Sequence, residues 1–270
     1  MLEQITPVII TYNEAANIAR TLDQLHWAND IVVIDSYSDD ETLAILSTHP
    51  QVRVLQRTFD NFASQCNYAL EHGAIQTEWV LNLDADYVLT QELIDELAAL
   101  EGSPDIIGYR AHFTYCINGR RLRSGIYPPV TVLFRKHHAR YRVDGHAHKV
   151  VVNGLVRDLE GRILHDDRKP LRRWLRSQVN YAKLEAQKLR TTADLSRNDR
   201  LRKWLVAAPP AVLVYCLFVR GGILDGWPGF YYAAQRFLAE AILAFNLFAG
   251  PKRVVGNPES AEPGPRTLAT

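Results

Sequence analysis

The chain has 270 residues, 47% of them hydrophobic, enough for one substantial core with an appendage. Its net charge of +1 hides an uneven spread, with acids enriched in the first hundred residues and basic residues gathering after Arg135; nucleic acid is not an expected partner. Cys66, Cys116 and Cys216 are few, odd in number and far apart, which excludes a disulfide framework or a CxxC zinc site and fits a reducing compartment.

The N-terminus runs straight into a strand pattern, so no signal peptide is expected. Residues 7–10 predict a buried strand, and Asn13-Glu14 opens a helix over 13–25 with Ile18, Leu22 and Leu25 at helical spacing. Residues 31–34 predict a second buried strand ending at Asp35. Ser38-Asp39-Asp40-Glu41 reads as a cap for a helix reaching 47. A third strand follows over 52–55, a helix over 61–71, and a fourth strand over 79–83 that runs into Asp84-Ala85-Asp86. Thr90 then caps a helix over 91–100. Strands alternating with helices imply a parallel sheet covered on both faces. After Gly108, strands over 109–115, 130–135 and 149–152 predict a smaller mixed or antiparallel region covering the sheet's open edge. Residues 170–189 form a strong helix pattern, with Leu171, Leu175, Val179, Ala182, Ala186 and Leu189 in one arc and Arg172, Arg176 and Lys183 on its flank.

Alternation along the fourth strand places the carboxylates of Asp84 and Asp86 on one side of its C-terminal end. Two carboxylates there hold a hard divalent cation, and such a cation holds a diphosphate, which points to chemistry on a sugar nucleotide. No glycine precedes Gly73, which excludes a GxGxxG fingerprint or a P-loop in the first βαβ units. The nucleotide must then be held by strand-end side chains and the metal. Asp35 is placed to accept hydrogen bonds from a base or ribose; otherwise it only starts the turn before Ser36.

Four stretches together resemble the inverting family 2 glycosyltransferases of GT-A fold, and within them the bacterial branch that includes lipopolysaccharide-core glucosyltransferases. They are Val8-Ile9-Ile10-Thr11-Tyr12-Asn13-Glu14, the run from Val33-Ile34-Asp35-Ser36 to Thr42, the run from Phe62 to Leu70, and Trp79-Val80-Leu81-Asn82-Leu83-Asp84-Ala85-Asp86. The resemblance covers roughly residues 5–190. It implies an α/β fold, a doubly wound, mostly parallel sheet with a smaller mixed β region and C-terminal helices. It also implies a hexosyl donor carried on a nucleoside diphosphate, UDP foremost, and a divalent cation, Mn2+ or Mg2+. The implied acceptor is a lipid-linked or cell-envelope glycan. By position, Thr11, Tyr12 and Glu14 contact the nucleoside, Asp35 the base, and Gln65 and Asn67 lie near the ribose and diphosphate. Asp84 faces ribose and metal, and Asp86 is the main metal ligand. The chain departs from the family where Cys66 replaces a frequent basic residue and Tyr87 a frequent acid.

Inverting transfer also needs a base for the acceptor hydroxyl. The family tends to carry acid and histidine groups about sixty residues after the acidic pair. Here that segment is Asp144-Gly145-His146-Ala147-His148-Lys149, and with Lys149 where an acid is usual, Asp144 is the nearest carboxylate. An Asp-Gly hairpin turn is the competing reading. His146 and His148 alternate, so both can face the site. His165 resembles a family histidine near the metal, as ligand or diphosphate contact. Arg168, Lys169, Arg172 and Arg173 neutralise phosphates or form a solvated or membrane-facing surface.

Residues 205–219 carry no charge but include Pro209-Pro210 and are too short to span a bilayer. A second apolar stretch over 227–248 keeps Gln235, Arg236, Glu240 and Asn246 in one arc, and Arg197, Arg200, Arg202 and Lys203 precede the pair. This pattern predicts a monotopic anchor on a membrane surface, at the cytoplasmic face of the inner membrane, with a dimer interface or packing on the catalytic domain as alternatives. The expected division is a catalytic domain over 1–190, a membrane-associating helical appendage over 191–256 and a disordered tail over 257–270. A nucleotidyltransferase and a non-catalytic sugar-nucleotide-binding protein are the other functional readings.

Overall fold

The computed structural model describes residues 1–101, 103–144, 147–191, 197–203 and 206–250; the tail expected over 257–270 lies outside them. Four runs, β1 (Ile5–Thr11), β2 (Ile31–Asp35), β3 (Val52–Gln56) and β4 (Trp79–Asp84), pair in parallel in the order β3-β2-β1-β4. Their alternation sorts side chains between two faces. Ile5, Ile9, Ile31, Val33, Leu81 and Leu83 share one core with Ile18 and Leu22 of α1 (Ile18–Leu22) and partly buried residues of α2 (Thr42–Ser47). The opposite parity, Val8, Ile10, Val32, Ile34 and Val80, packs on Ala63, Cys66 and Ala69 of α3 (Phe62–His72). Each large aliphatic side chain buried this way contributes about 1.5–3 kcal/mol.

The helix expected over 13–25 is only α1. Asn13 has φ 56°, a left-handed conformation no helix start can use. The amides that would open the helix are taken elsewhere: Asn13 N donates to Ser38 Oγ at 2.8 Å, Glu14 N to Thr42 Oγ1 at 2.7 Å and Ala15 N to Asp40 Oδ2 at 3.2 Å. The same bonds hold Ser38 and Asp40 in a loop, so α2 starts at Thr42.

Beyond β4 come β5 (Tyr87–Leu89) and α4 (Gln91–Ala99), whose Leu93 N donates to the capping Thr90 Oγ1 at 3.3 Å. Then follow β6 (Ile106–Ile117), β7 (Arg120–Arg121), β8 (Val130–Arg135), β9 (Ala139–Asp144), β10 (Ala147–Val152) and β11 (Leu155–His165). The mixed region lengthens the sheet instead of only covering its edge. β8 runs antiparallel between β4 and β6, giving the order β3-β2-β1-β4-β8-β6-β11-β5 with β7 paired to β6. β9 and β10 form a separate antiparallel pair packed on α3. This is the α/β arrangement the resemblance implies.

The chain ends in α5 (Leu171–Thr191), α6 (Arg197–Arg202), α7 (Ala208–Val214), a π-helical turn (Tyr215–Val219) and α8 (Trp227–Phe248). Ala182, Ala186 and Leu189 of α5 meet Leu243 of α8, while Cys216, Tyr232 and Ala233 pack on Ile117 and Leu122. Asp225 fastens this unit to the loop after β7, accepting from Ser124 N at 3.0 Å and Ser124 Oγ at 2.8 Å. Ile126 N donates to Tyr232 Oη at 2.9 Å. Packing on the rest of the chain therefore consumes one face of α8. Among the described residues no helix is long and apolar enough to cross a membrane.

Candidate active site

Parallel pairing brings the carboxyl ends of β1, β2 and β4 to one edge, with Thr11 opposite Asp35 and Ile10 opposite Asp84. Ligands of open α/β sheets bind along such an edge. Leu83, Ala85 and Tyr87 all enter the core, which leaves Asp84 and Asp86 on the other parity, as the alternation predicts. β4 ends at Asp84, and Ala85-Asp86 turn the chain into β5. There the antiparallel partner of Tyr87 is His165, the last residue of β11.

His165 Nε2 lies 3.3 Å from Asp86 Oδ2, with both side chains largely buried. The imidazole is boxed in by Tyr87, Tyr115 and Tyr127, whose ring centroids are 5.4, 4.8 and 4.8 Å away. Burial alone would lower the histidine pKa, but Asp86, Asp84 and Asp167 outweigh it and raise it. Burial likewise pushes Asp86 up, and His165 with Lys169 overrides it and holds the carboxylate below its ordinary range. Asp86 Oδ1 and His165 Nδ1 are buried and have no hydrogen-bond partner among the described residues. Buried polar atoms are nearly always satisfied, so two orphans on neighbouring groups mark a place built to meet something else. Asp84 lies close enough to raise the pKa of His165, but among the described residues no three His, Cys, Asp or Glu groups converge to cage a metal unaided. The structure thus pairs two of the three expected ligands, with Asp84 beside them.

The other expected residues fall into two groups. Tyr12 stands half exposed at the sheet edge, and the Arg173 guanidinium sits 5.7 Å from its ring centroid while donating to the carbonyls of Tyr12 and Asn13. Glu14 is buried, with Lys169 Nζ 2.7 Å from Oε1 and Asn17 Nδ2 donating to Oε2 at 2.9 Å. Burial raises the Glu14 pKa to about 7 despite Lys169. Asp35 is fully buried; Thr11 Oγ1 donates to Oδ1 at 2.9 Å and Ser38 N to Oδ2 at 2.8 Å. Gln65 is also fully buried, donating to Ser36 Oγ at 2.9 Å and accepting from Arg57 Nη1 at 2.9 Å, so it braces the ends of β2 and β3. The Asn67 carboxamide is spent on Tyr141, donating to its carbonyl at 3.0 Å and accepting from its amide at 2.9 Å. It fixes β9 on α3 and lines a cavity of about 200 Å³ with Lys136, His137 and Arg140. Cys66, where a basic residue is frequent, is a core side chain. Asp144 pairs with Ala147 at the end of β9. Its side chain, those of His148 and Lys149, and all of His146 lie outside the described residues. Tyr141, three residues earlier, has its pKa raised by burial and by Cys66 and Asp84.

Sequence reasoning missed the frame beneath these groups. Asp166 N donates to the Asp86 carbonyl at 3.1 Å. The Asp166 carboxylate meets Arg20 Nη1 at 2.9 Å and Arg168 Nη2 at 2.8 Å, and accepts from Gly119 N at 3.0 Å. Asn17 Oδ1 accepts from Arg20 Nη2 at 2.8 Å and from Arg168 N at 2.9 Å, and its Nδ2 donates to Asp167 at 3.0 Å. The acidic doublet directly after His165 was the available signal.

Residues 6–156 match the family model described as "Glycosyl transferase family 2". Among curated proteins, an "Uncharacterized glycosyltransferase" of Rickettsia felis is 33% identical over 41% of this chain, the match covering 38% of that relative, well under two thirds of its length. The lipopolysaccharide core biosynthesis glycosyltransferase LpsC of Rhizobium meliloti is 27% identical over 88% of this chain and 87% of its own. Among solved structures, S. aureus TarS 1–349 in complex with UDP-GlcNAc aligns over 90% of this chain and 89% of its own with a TM-score of 0.46 and 14% identity, too loose a likeness to bear on the site.

Proposed function

Given that the chain belongs to glycosyl transferase family 2, we propose that it is an inverting glycosyltransferase that moves a hexosyl group from a nucleoside diphosphate, UDP foremost, to a lipid-linked or cell-envelope glycan. The observation that carries this is the strand-edge cluster of Asp84, Asp86 and His165 with its two buried orphan atoms. Mg2+ and Mn2+ suit one or two carboxylates completed by substrate phosphates, and the Asp86 carboxylate, ionised and with a buried free oxygen, fits that need. Asp84 and Asp86 would hold the cation, with His165 beside it; when bound, it neutralises the departing diphosphate. Lys169 and Arg173 add fixed positive charge at the same edge. Tyr12, exposed and braced by Arg173, offers a face for the base. Glu14, Asp35 and Gln65 act from below by fixing the loops that carry Tyr12 and Ser36. Asp144, at the end of β9, takes the acceptor proton. The likeness to LpsC, a lipopolysaccharide core biosynthesis glycosyltransferase, supports an envelope glycan as acceptor.

The C-terminal unit completes the reading. Phe218, Val219, Leu224, Trp227 and Phe230 lie between 51% and 74% exposed around the π-helical turn and the start of α8, with Arg220 among them. Apolar and aromatic side chains beside a basic residue suit an interfacial membrane contact, which would set the enzyme on the cytoplasmic face where a lipid-linked acceptor waits. Cosedimentation with phosphatidylglycerol vesicles, weakened in Phe218→Ser plus Leu224→Ser, supports this; equal sedimentation of the variant contradicts it.

The activity is tested by incubating the protein with a panel of UDP-sugars and measuring UDP release with Mn2+ or with a chelator. Release from at least one donor, only with the metal, is expected. No release from any donor contradicts the assignment.

A further inference from the structure

A second cleft, of about 60 Å³, opens next to the strand-edge site between the end of β6, the start of α5 and the first turns of α8. Lys169 belongs to both places, lining the cleft and pairing with Glu14. Tyr115 connects them as well, its ring 4.8 Å from His165 on one side and 4.7 Å from Tyr232 of α8 on the other.

The remaining walls are mixed: Ile117 and Leu171 are aliphatic, Asp167 is acidic, and the rest are aromatic or amide. Trp174 of α5 and Tyr231 of α8 line it with Tyr115, and Asn118, just after β6, and Gln235 of α8 add carboxamides. Trp174 Nε1 and the carboxamides of Asn118 and Gln235 make no hydrogen bond to the protein among the described residues, whereas the carboxamides of Gln65 and Asn67 are fully engaged. Ligand sites combine apolar and aromatic walls with a few unspent polar groups that fix orientation. A pyranose presents the matching surface, a C–H face for an aromatic ring and a rim of hydroxyls for amides. The volume admits a few waters or the rim of one sugar ring, not a whole nucleotide.

On the glycosyltransferase reading just given, we infer that this cleft is the acceptor subsite, and that α8 supplies one wall of it through Tyr231 and Gln235. The appendage then selects the acceptor in addition to any contact with a membrane. It places one pyranose of the acceptor glycan against Tyr115 and Trp174, one residue away from the acidic strand edge through Lys169.

The test is ligand-observed saturation-transfer NMR on the full chain, with methyl glycosides of glucose, galactose, mannose and N-acetylglucosamine as probes, and UDP with Mg2+ as a separate arm. At least one glycoside should receive saturation, and Gln235→Ala and Trp174→Ala should each weaken it about tenfold, the equivalent of one good hydrogen bond, with UDP signals unchanged. Gln235→Ala carries the test if Trp174→Ala fails to fold. Saturation of no glycoside, or equal saturation in wild type and Gln235→Ala, overturns the cleft as an acceptor site. Loss of the UDP arm alone overturns the donor reading and leaves the cleft standing as a sugar site.

Discussion

Replacing Asp166 by Asn tests the frame that carries Asp86 and His165. In the native chain, Gly119 N donates to one carboxylate oxygen and the guanidinium groups of Arg20 and Arg168 share the other. An asparagine keeps one acceptor, so either Gly119 or the two arginines would face an NH2 group. The Asp166 side chain is only 5% exposed, Arg20 is 23% exposed and Arg168 is 41% exposed. The largely solvated Arg168 pair is worth about 0–1 kcal/mol. A charge-assisted bond to the more buried Arg20 is worth about 1.5–3 kcal/mol. The sum is roughly 3 kcal/mol, which at about 2–4 °C per kcal/mol lowers the melting temperature by roughly 6–12 °C. Thermal unfolding followed by circular dichroism measures it. Asp158→Asn is the control, because Asp158 holds Arg110 in a close bidentate pair, at 2.5 and 2.9 Å, but in solvent. Its melting temperature should stay near the wild type. An Asp166→Asn shift no larger than that of Asp158→Asn would show that burial does not decide the strength of this pair.

Two further substitutions probe separate parts of the structure. Glu14 binds its proton more tightly folded than unfolded, because burial raises its pKa to about 7. Its ionisation therefore costs stability as pH rises from the ordinary glutamate range through neutrality, by at most about 1.4 kcal/mol per pH unit. Glu14→Gln should flatten that part of the urea-denaturation profile, and parallel profiles would refute the buried-acid description. Gly161 sits where an added Cβ would lie 2.5 Å from Leu93 Cα, backbone that cannot step aside, so Gly161→Ala should cost about 1–3 kcal/mol by prying α4 from β11; an unchanged urea midpoint contradicts that packing.

The strand-edge half of the site was legible because two local signals coincide there: an uninterrupted apolar run fixes a buried strand, and an acid at its end marks the sheet edge. Those signals place Asp35 and Asp84 at strand ends, where the parallel register puts them, with Asp86 in the turn that follows, and the lack of glycine before Gly73 speaks against a GxGxxG or P-loop fold. The roles of Gln65 and Asn67 were not legible, since whether a carboxamide meets a ligand or a backbone depends on which loop folds over it. Arg57 and Tyr141 claim these two. The frame of Asn17, Arg20, Asp166 and Arg168 joins residues some 146 to 151 positions apart, a distance over which no periodicity speaks. β11 escaped notice because its outer face is charged and Gly161 interrupts its pattern, although its inward residues Leu159 and Ile163 are buried. The C-terminal helices read as a surface anchor, but their small residues, Ala182, Ala186 and Ala233, already hinted at close helix packing, and that is where they are buried.

Manganese binding followed by electron paramagnetic resonance, in the presence of UDP, addresses the acidic strand tip most directly. Titrating the wild type with Mn2+ should remove one ion per chain from the free pool when UDP is present, and Asp86→Asn should abolish that uptake while its far-UV circular dichroism stays native. Uptake by Asp86→Asn equal to that of the wild type would contradict a leaving-group cation held by Asp86.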